Sequence, residues 1–173
     1  MRTRRMIFGT LFTLAVALAG CSTAPVAVPV AGRFNGSDPG LKNADTLLIN
    51  SQQELTKLGS KDLLKQKFDF EHNSLIVVAL GTQPSPAYWT RVAAVQQKGH
   101  HLFVQVLINQ PDPAQAAAKK NTNPYDAVVI AKVTDVKLRV EETILKGVAP
   151  PADATLPALI AVPAKPAKPS SGS

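Results

Sequence analysis

The stretch Leu75-Ile76-Val77-Val78-Ala79-Leu80 decides the fold, because an apolar run of this length indicates a strand that is buried on both faces. Two strand-like segments follow it. Residues 88–97 are rich in residues that favour strands, and residues 102–108 alternate apolar with other side chains. Lys98-Gly99-His100 lies between them and predicts a hairpin turn. The centre of the chain is therefore expected to be a β-sheet.

Three further segments extend this sheet pattern in both directions. Residues 46–49 are short and apolar, and residues 125–133 and 136–144 are each long enough for a strand. The apolar side chains of the last segment share one face, which Glu142 interrupts. Five or six strands joined by loops rich in proline, asparagine and glycine predict an antiparallel β-sandwich or a barrel-like domain.

A short helical segment is predicted between the first two strands. Ser51 and Glu54 are spaced as a capping box, in which each side chain can bond a free backbone N–H. Gly59 ends this helix, and Ser60 predicts the cap of a second short turn. The fold class is therefore mainly β with one small helical flank (α+β), and residues 41–146 are predicted to form the domain.

The segments on either side of the domain differ from it in composition. Residues 21–40 contain three prolines and three glycines without sustained periodicity, which predicts a flexible tether. Residues 147–173 are rich in proline and alanine and repeat Ala-Lys-Pro, which predicts a disordered tail. This basic tail could touch the cell wall or a partner, or it could be solvated without a partner.

The N-terminus has the three parts of an export signal in order. Arginines occupy positions 2, 4 and 5, residues 6–18 are almost wholly apolar, and Leu18-Ala19-Gly20-Cys21 closes the segment. The apolar run is shorter than the ~20 residues that span a bilayer. The closing residues resemble the lipobox of bacterial lipoproteins. The resemblance implies that residues 1–20 are a lipoprotein signal peptide and that Cys21 carries diacylglycerol and palmitate.

This reading predicts where the protein resides. A covalent lipid on Cys21 would anchor the chain to a membrane of the cell envelope. Ser22 follows the cysteine, whereas an aspartate in that place is the pattern for retention at the inner membrane. We therefore expect the outer membrane, facing the periplasm or the surface, if the cell has two membranes.

Composition argues against several other classes of protein. The formal charge of +7 comes from 19 basic and 12 acidic residues. Removal of the three signal arginines leaves 16 minus 12, or +4. The lysines are scattered rather than clustered with aromatic residues, so no nucleic acid partner is expected. Once Cys21 is lipidated, no cysteine remains for a disulfide or a thiolate metal site.

No pattern of catalytic residues stands out. Adjacent His100 and His101 would point to opposite faces of a strand, so we expect no metal site there. The pair Glu141-Glu142 is better explained by a solvated strand edge than by acid–base chemistry. The chain also lacks a nucleophile elbow and a phosphate loop. We therefore expect a protein that is not an enzyme and has no cofactor besides the lipid on Cys21.

One loop between two predicted strands is unusual. It runs from Gln83 to Tyr88, and its candidate protein-binding residues are Gln83, Pro84, Ser85, Pro86 and Tyr88. Prolines restrict a loop before it binds, which lowers the entropy lost on binding, and an aromatic ring supplies contact area. A second loop adds Pro111 and Pro113, and a third, residues 121–125, brings another aromatic residue to a strand start.

The order of these motifs resembles the PrcB-type C-terminal domain, a family named for an accessory lipoprotein of a bacterial surface protease complex. The resemblance covers residues 47–133, from Asp69-Phe70 through the central strand and the Gln83–Tyr88 loop to Thr122-Asn123-Pro124-Tyr125. The chain departs from the family at Ser85-Pro86-Ala87, where small residues and glycine are usual. The resemblance implies a noncatalytic partner of an exported protein, for which a protease is a candidate.

Two other functions stay open on the sequence alone. The Gln83–Tyr88 loop is similar in outline to the proline-bearing loop with which chagasin-like inhibitors enter a cysteine protease cleft. A hydrolase without a legible motif is the other alternative. We rank the binding module first, because the family resemblance covers most of the domain.

Overall fold

The computed structural model describes residues 24–114 and 120–151. Within them, two short helices accompany two four-stranded sheets. The strands are β1 (Val26–Ala27), β2 (Val30–Gly36), β3 (Asn43–Ile49), β4 (Asn73–Gly81), β5 (Trp89–Lys98), β6 (His101–Gln110), β7 (Tyr125–Ala131) and β8 (Lys137–Lys146). The helices are α1 (Gln52–Leu58) and α2 (Lys61–Leu64). One sheet has the strand order β1-β5-β6-β8 and the other β2-β7-β4-β3.

The two sheets pack face to face around the larger apolar core. Its fully buried members come from the inner faces of β4, β5, β6 and β7, and include Ile76, Val92, Val104 and Val128. Residues two apart along a strand point to the same face, so alternate positions on β6 enter this core. The predicted β-sandwich is confirmed.

A second core covers the other face of the β2-β7-β4-β3 sheet. Leu55 of α1 and Leu63 of α2 pack there on Leu75, Val77 and neighbouring side chains. Strand β4 therefore has a core on each side, which explains its unbroken apolar run. The architecture is three layers deep: sheet, sheet and a small helical flank.

The predicted caps and the predicted hairpin are present. The Ser51 Oγ accepts from the Glu54 backbone N–H at 3.2 Å, and Gly59 ends α1 with φ of 74°. The Glu54 carboxylate accepts from the N–H of Asn50 at 2.6 Å rather than from that of Ser51. The Ser60 hydroxyl caps α2. A turn with Gly99 at φ 56° joins β5 to β6.

One strand pair departs from the antiparallel expectation. Strand β8 pairs with β6 in parallel, with His101 opposite Lys137 and Gln110 opposite Lys146. The chain leaves β6, runs through β7 in the other sheet and returns, so β8 points in the same direction as β6. Parallel neighbours require such a crossover, which a local pattern does not reveal.

The predicted tether at residues 21–40 is wrong for much of its length. Residues 30–36 form β2, which pairs antiparallel with β7 over its whole length, with a register shift between Val30 and Gly32. Val26 and Ala27 pair with Gln97 and Gln96 of β5. Backbone pairing to β7 and the ion pair of Arg33 with Asp126 stabilise β2. The strand therefore does not need the apolar alternation that is typical of most strands.

Some predictions lie outside the described residues. They include the signal peptide, lipidation of Cys21 and nearly all of the predicted tail. The ranges 24–114 and 120–151 contain no helix with the length and apolar character needed to cross a bilayer.

Candidate protein-binding groove

A surface groove lies where four segments of the chain meet. It encloses about 560 Å³ and is lined by the end of β2, by residues 86–91, by residues 122–126 and by Pro150 and Pro151. We call it the main lobe. Its volume is in the range of sites that bind small ligands or single segments of a partner.

A second lobe of about 550 Å³ adjoins the main lobe. The two share Ser37, Pro86 and Thr122 in their linings, so they form one continuous trough. Lys120 and Asn123 line the second lobe. We refer to both lobes together as the groove.

The predicted loop forms one wall of this groove because it is held at its base. Gln83 forms an antiparallel bridge with Thr122, with N–H···O distances of 2.7 and 2.9 Å in the two directions. The Gln83 side-chain amide also donates to the Leu80 carbonyl oxygen at 2.8 Å. The third predicted loop, residues 121–125, is thereby paired with the Gln83–Tyr88 loop.

The middle of the loop is equally constrained. Ser85 is only 1% exposed, and its hydroxyl oxygen accepts from the backbone N–H of Ala87 at 3.2 Å. The Tyr88 N–H donates to the Ser85 carbonyl at 3.3 Å. Pro84 and Pro86 are exposed, and Pro86 lines both lobes. The loop therefore presents its prolines from a fixed backbone.

Both aromatic residues after the loop line the main lobe. Tyr88 and Trp89 are half-buried and belong to neither apolar core. The Trp89 indole N–H donates to the Val148 carbonyl oxygen at 3.0 Å. Buried Asn109 accepts from the Val148 N–H at 3.0 Å and donates to the Ala87 carbonyl at 3.2 Å. The chain after β8 is thus attached to the groove wall.

An ion pair between neighbouring strands of one sheet lies at the floor of the main lobe and also bonds the backbone of the other sheet. Asp126 of β7 is 1% exposed and pairs with the Arg33 guanidinium of β2. The same carboxylate accepts from the Val92 N–H at 2.7 Å, and Arg33 donates to the Val92 carbonyl at 2.8 Å. Val92 starts the register shift in β5, where its backbone groups are available to this pair.

A second arginine, Arg91, lies at the groove. Arg91 lines the main lobe and is 8% exposed, and its Nε atom is buried without a hydrogen-bond partner among the residues that the structure describes. Arginine remains charged at all ordinary pH values, so burial without a partner is costly. This cation is a candidate contact for an anionic ligand.

Tyr125 lies beside the groove in a setting that keeps its hydroxyl protonated. Burial, with a smaller contribution from the nearby carboxylates of Asp62, Asp38 and Asp126, raises the pKa of Tyr125 to about 12. Its ring packs close to Gly36, where any side chain would collide with it. The neutral hydroxyl can donate a hydrogen bond but does not act as a base near neutral pH.

Of the predicted loop residues, Pro86 and Tyr88 line the groove, whereas Gln83, Pro84 and Ser85 support it without lining either lobe. The other predicted site residues do not line the groove. Pro111 and Pro113 also line neither lobe. Between them, the Asp112 carboxylate lies against Gly147, which has φ of 64°. Cys21 precedes the described residues. The loop at 111–113 therefore stays a separate prediction.

One exposed acidic cluster was not expected from the sequence. Asp69, Glu71 and His72 place ligand-type atoms within 4.8 Å of one another. Their approach has a local cause, because His72 Nδ1 bonds Asp69 Oδ2 at 2.8 Å and the Glu71 N–H donates to Asp69 Oδ1 at 3.0 Å. The hydrogen bond from His72 is the main cause that lowers the pKa of Asp69.

The comparisons with known proteins bear on the strands that carry the loop. Residues 74–131 match the PrcB C-terminal family. The predicted resemblance is confirmed over this segment, which runs from β4 to β7. No curated protein and no solved structure matches the chain.

The segment that matches this family supplies only part of the groove. It contains the Gln83–Tyr88 loop, Arg91 and Asp126, whereas Arg33 and Pro150 lie outside it. Sequence reasoning overlooked these four residues. A charged Asp126 inside the apolar strand was the available signal, since a buried carboxylate requires a partner. Nothing in the local sequence indicated that Arg33 would pair with Asp126 or that Pro150 would line the groove.

Proposed function

We propose that this chain is a lipid-anchored envelope protein, not an enzyme, whose β domain binds or assists an exported protein through the groove. A protease is the favoured partner. The observation that carries the proposal is the bridge between Gln83 and Thr122, which joins two loops of the PrcB C-terminal segment into one rigid wall. Rigid loops on a β scaffold are common recognition sites.

The polar groups at the groove support binding rather than turnover. Asp126 is committed to Arg33 and to the backbone of Val92. Tyr125 is kept neutral by its raised pKa. Prolines and aromatic rings make up much of the rest of the lining, and such surfaces lose little conformational entropy when they bind.

Site-specific photo-crosslinking in living cells tests this function. A photoreactive phenylalanine analogue replaces Tyr88 in the groove, and a control chain carries the same analogue at exposed Gln52 on α1. We expect Tyr88 to form an adduct with one exported protein and Gln52 to form none. Equal adducts at both positions, or none at Tyr88, would count against a groove that binds a partner.

A second variant asks whether loop rigidity matters. Replacement of Pro84 and Pro86 by glycine and serine leaves Ser85 in place, because its buried hydroxyl holds the loop. Partner recovery should fall by about tenfold while the melting temperature changes little, since only the entropy cost of binding rises. Unchanged recovery would move the site to another part of the groove.

The chagasin-like alternative makes a different prediction. An inhibitory loop must project into a protease cleft, whereas Gln83 is paired to Thr122 and Ser85 is buried. We therefore expect no inhibition of papain by the purified protein. Inhibition that disappears in the Pro84 and Pro86 variant would favour the inhibitor over the binding module.

A further inference from the structure

We infer that the groove receives an extended acidic segment of the partner, with one carboxylate at Arg91 and another near Lys120. This inference rests on the proposed function, because it specifies the chemistry of the partner that the groove binds. It goes further by assigning the groove a charge preference.

The unpaired guanidinium is the first part of the case. Arg91 is 8% exposed, and its buried Nε has no hydrogen-bond partner within the described ranges. A buried donor left without a hydrogen-bond partner destabilises the protein, and more so when the donor is charged. A carboxylate matches the guanidinium geometry with two parallel hydrogen bonds, so it is the anion best suited to this position.

The charges along the groove are the second part. Lys120 is exposed in the lining of the second lobe, and Arg91 lines the main lobe. Among the described lining residues, Asp126 is the only acidic one, and Arg33 already neutralises it. Asp38 and Asp62 lie near Tyr125 but line neither lobe. The two cations that line the groove, one in each lobe, therefore favour an acidic ligand over a basic one.

The shape and the hydrogen-bonding groups favour an extended segment. The two lobes form one trough, so a chain can pass from Arg91 past Pro86 to Lys120. The exposed side-chain amide of Asn121 also lines the second lobe. It can bond the backbone of an extended segment, since strands expose N–H and C=O groups at regular intervals.

Direct binding to a defined peptide tests the inference. Fluorescence anisotropy measures the affinity of the mature chain for a labelled peptide in which glutamate alternates with valine. The matched peptide carries glutamine in place of glutamate. We expect the glutamate peptide to bind at least about tenfold more tightly, and more weakly as salt is added.

Variants of the chain locate the effect. Arg91→Met and Lys120→Gln should each weaken binding of the glutamate peptide by about tenfold and leave the glutamine peptide unchanged. Arg139→Met removes one positive charge from an exposed position on β8 and should change neither peptide. Lys165→Gln with Lys168→Gln removes charge from the basic tail and should also have no effect.

The opposing results are equally specific. Equal affinity for both peptides, unchanged affinity in Arg91→Met and Lys120→Gln, or loss of binding in the tail variant would overturn the inference. If Arg91→Met fails to fold, Lys120→Gln still tests the inference, because replacing an exposed lysine changes stability little. If the crosslinker at Tyr88 captures a partner but the glutamate peptide binds no more tightly than the glutamine peptide, the proposed function holds and this inference is wrong. If the crosslinker captures no partner, the proposed function and this inference are both wrong.

Discussion

The Trp89 indole N–H donates to the backbone carbonyl of Val148 at 3.0 Å, across 59 residues of chain. Val148 also donates to the side chain of Asn109, which is fully buried. The chain after β8 therefore belongs to the folded domain at least as far as Pro151, which lines the groove.

Two truncations test this attachment. A chain that ends at Pro151 should melt close to the intact protein, because it keeps every contact of Val148. A chain that ends at Lys146 should lose about 1–3 kcal/mol, because the Oδ1 atom of buried Asn109 loses the Val148 N–H that bonds it. Trp89 is the sole tryptophan, so its fluorescence should shift to the red only in the shorter chain. Identical spectra would contradict the contact.

Arg33→Met tests the ion pair of Arg33 and Asp126, both of which also bond the backbone of Val92 in the other sheet. The variant leaves the Asp126 carboxylate buried without its cation, and such a loss costs about 3–5 kcal/mol in free energy of unfolding. Urea denaturation measures the change. Arg139→Met is the control, since an exposed arginine contributes less than about 0.5 kcal/mol. A cost no larger than that of the control would show that the pair does not hold the sheets together.

Ionisation of Tyr125 should lower the stability of the folded protein at alkaline pH. Its folded pKa of about 12 exceeds the ordinary value of 10.0, so the folded protein holds this proton more tightly than the unfolded chain does. The resulting stabilisation is fully present below pH 10 and is lost as the pH rises toward 12. In Tyr125→Phe, melting temperatures should show a smaller decline over that interval. A decline as steep as in the parent chain would assign the effect to other groups.

Gly36 gives the same tyrosine its space. A Cβ at position 36 would lie 2.9 Å from Tyr125 Cε1 and 3.3 Å from Asp62 Oδ2, so Gly36→Ala should destabilise the protein by about 1–3 kcal/mol. Gly32→Ala on the same strand meets nothing closer than 3.7 Å and should be neutral or slightly stabilising. Thermal unfolding compares the two. Equal stabilities of the two variants would mean that Tyr125 shifts without cost to make room for a side chain at position 36.

Cys21→Ala tests the lipid anchor. We expect the variant to stay unprocessed or to leave the membrane, because buried acyl chains contribute ~0.8 kcal/mol per CH₂ and dominate anchoring. Labelling with radioactive palmitate should mark the parent chain alone. Density-gradient separation of the membranes checks the predicted outer-membrane location. Equal label in the variant would rule out lipidation at this residue.

The strands with regular apolar patterns could be predicted from the sequence. The unbroken apolar run at 75–80 predicted β4, because both faces of that strand are buried. The alternation at 102–108 predicted β6, because one face of that strand is buried. Strand β2 left no such mark. It contains two glycines, Arg33 and Asn35, and it depends on β7 and Asp126, which lie about ninety residues away along the chain.

The groove could be predicted only in part for a similar reason. The Gln83–Tyr88 loop stood out because two prolines and an aromatic residue are unusual between strands. The opposite walls come from β2 and from the chain after β8, and sheet topology alone brings them there. Arg91 looked like any charged residue in a strand, because its burial depends on neighbours that are distant in sequence.

The pairing of β1 has a consequence for how the domain stands on a membrane. Val26 and Ala27 lie beside Gln97 and Gln96 at the far end of β5, whereas the groove begins at Trp89. A strand rises about 3.3 Å per residue, so these ends are on the order of 30 Å apart. Only Cys21, Ser22 and Thr23 separate a lipid on Cys21 from the described residues, a reach of about 10 Å. Such an anchor would keep the base of the domain at the lipid headgroups and turn the groove outward, within reach of proteins that never touch the bilayer.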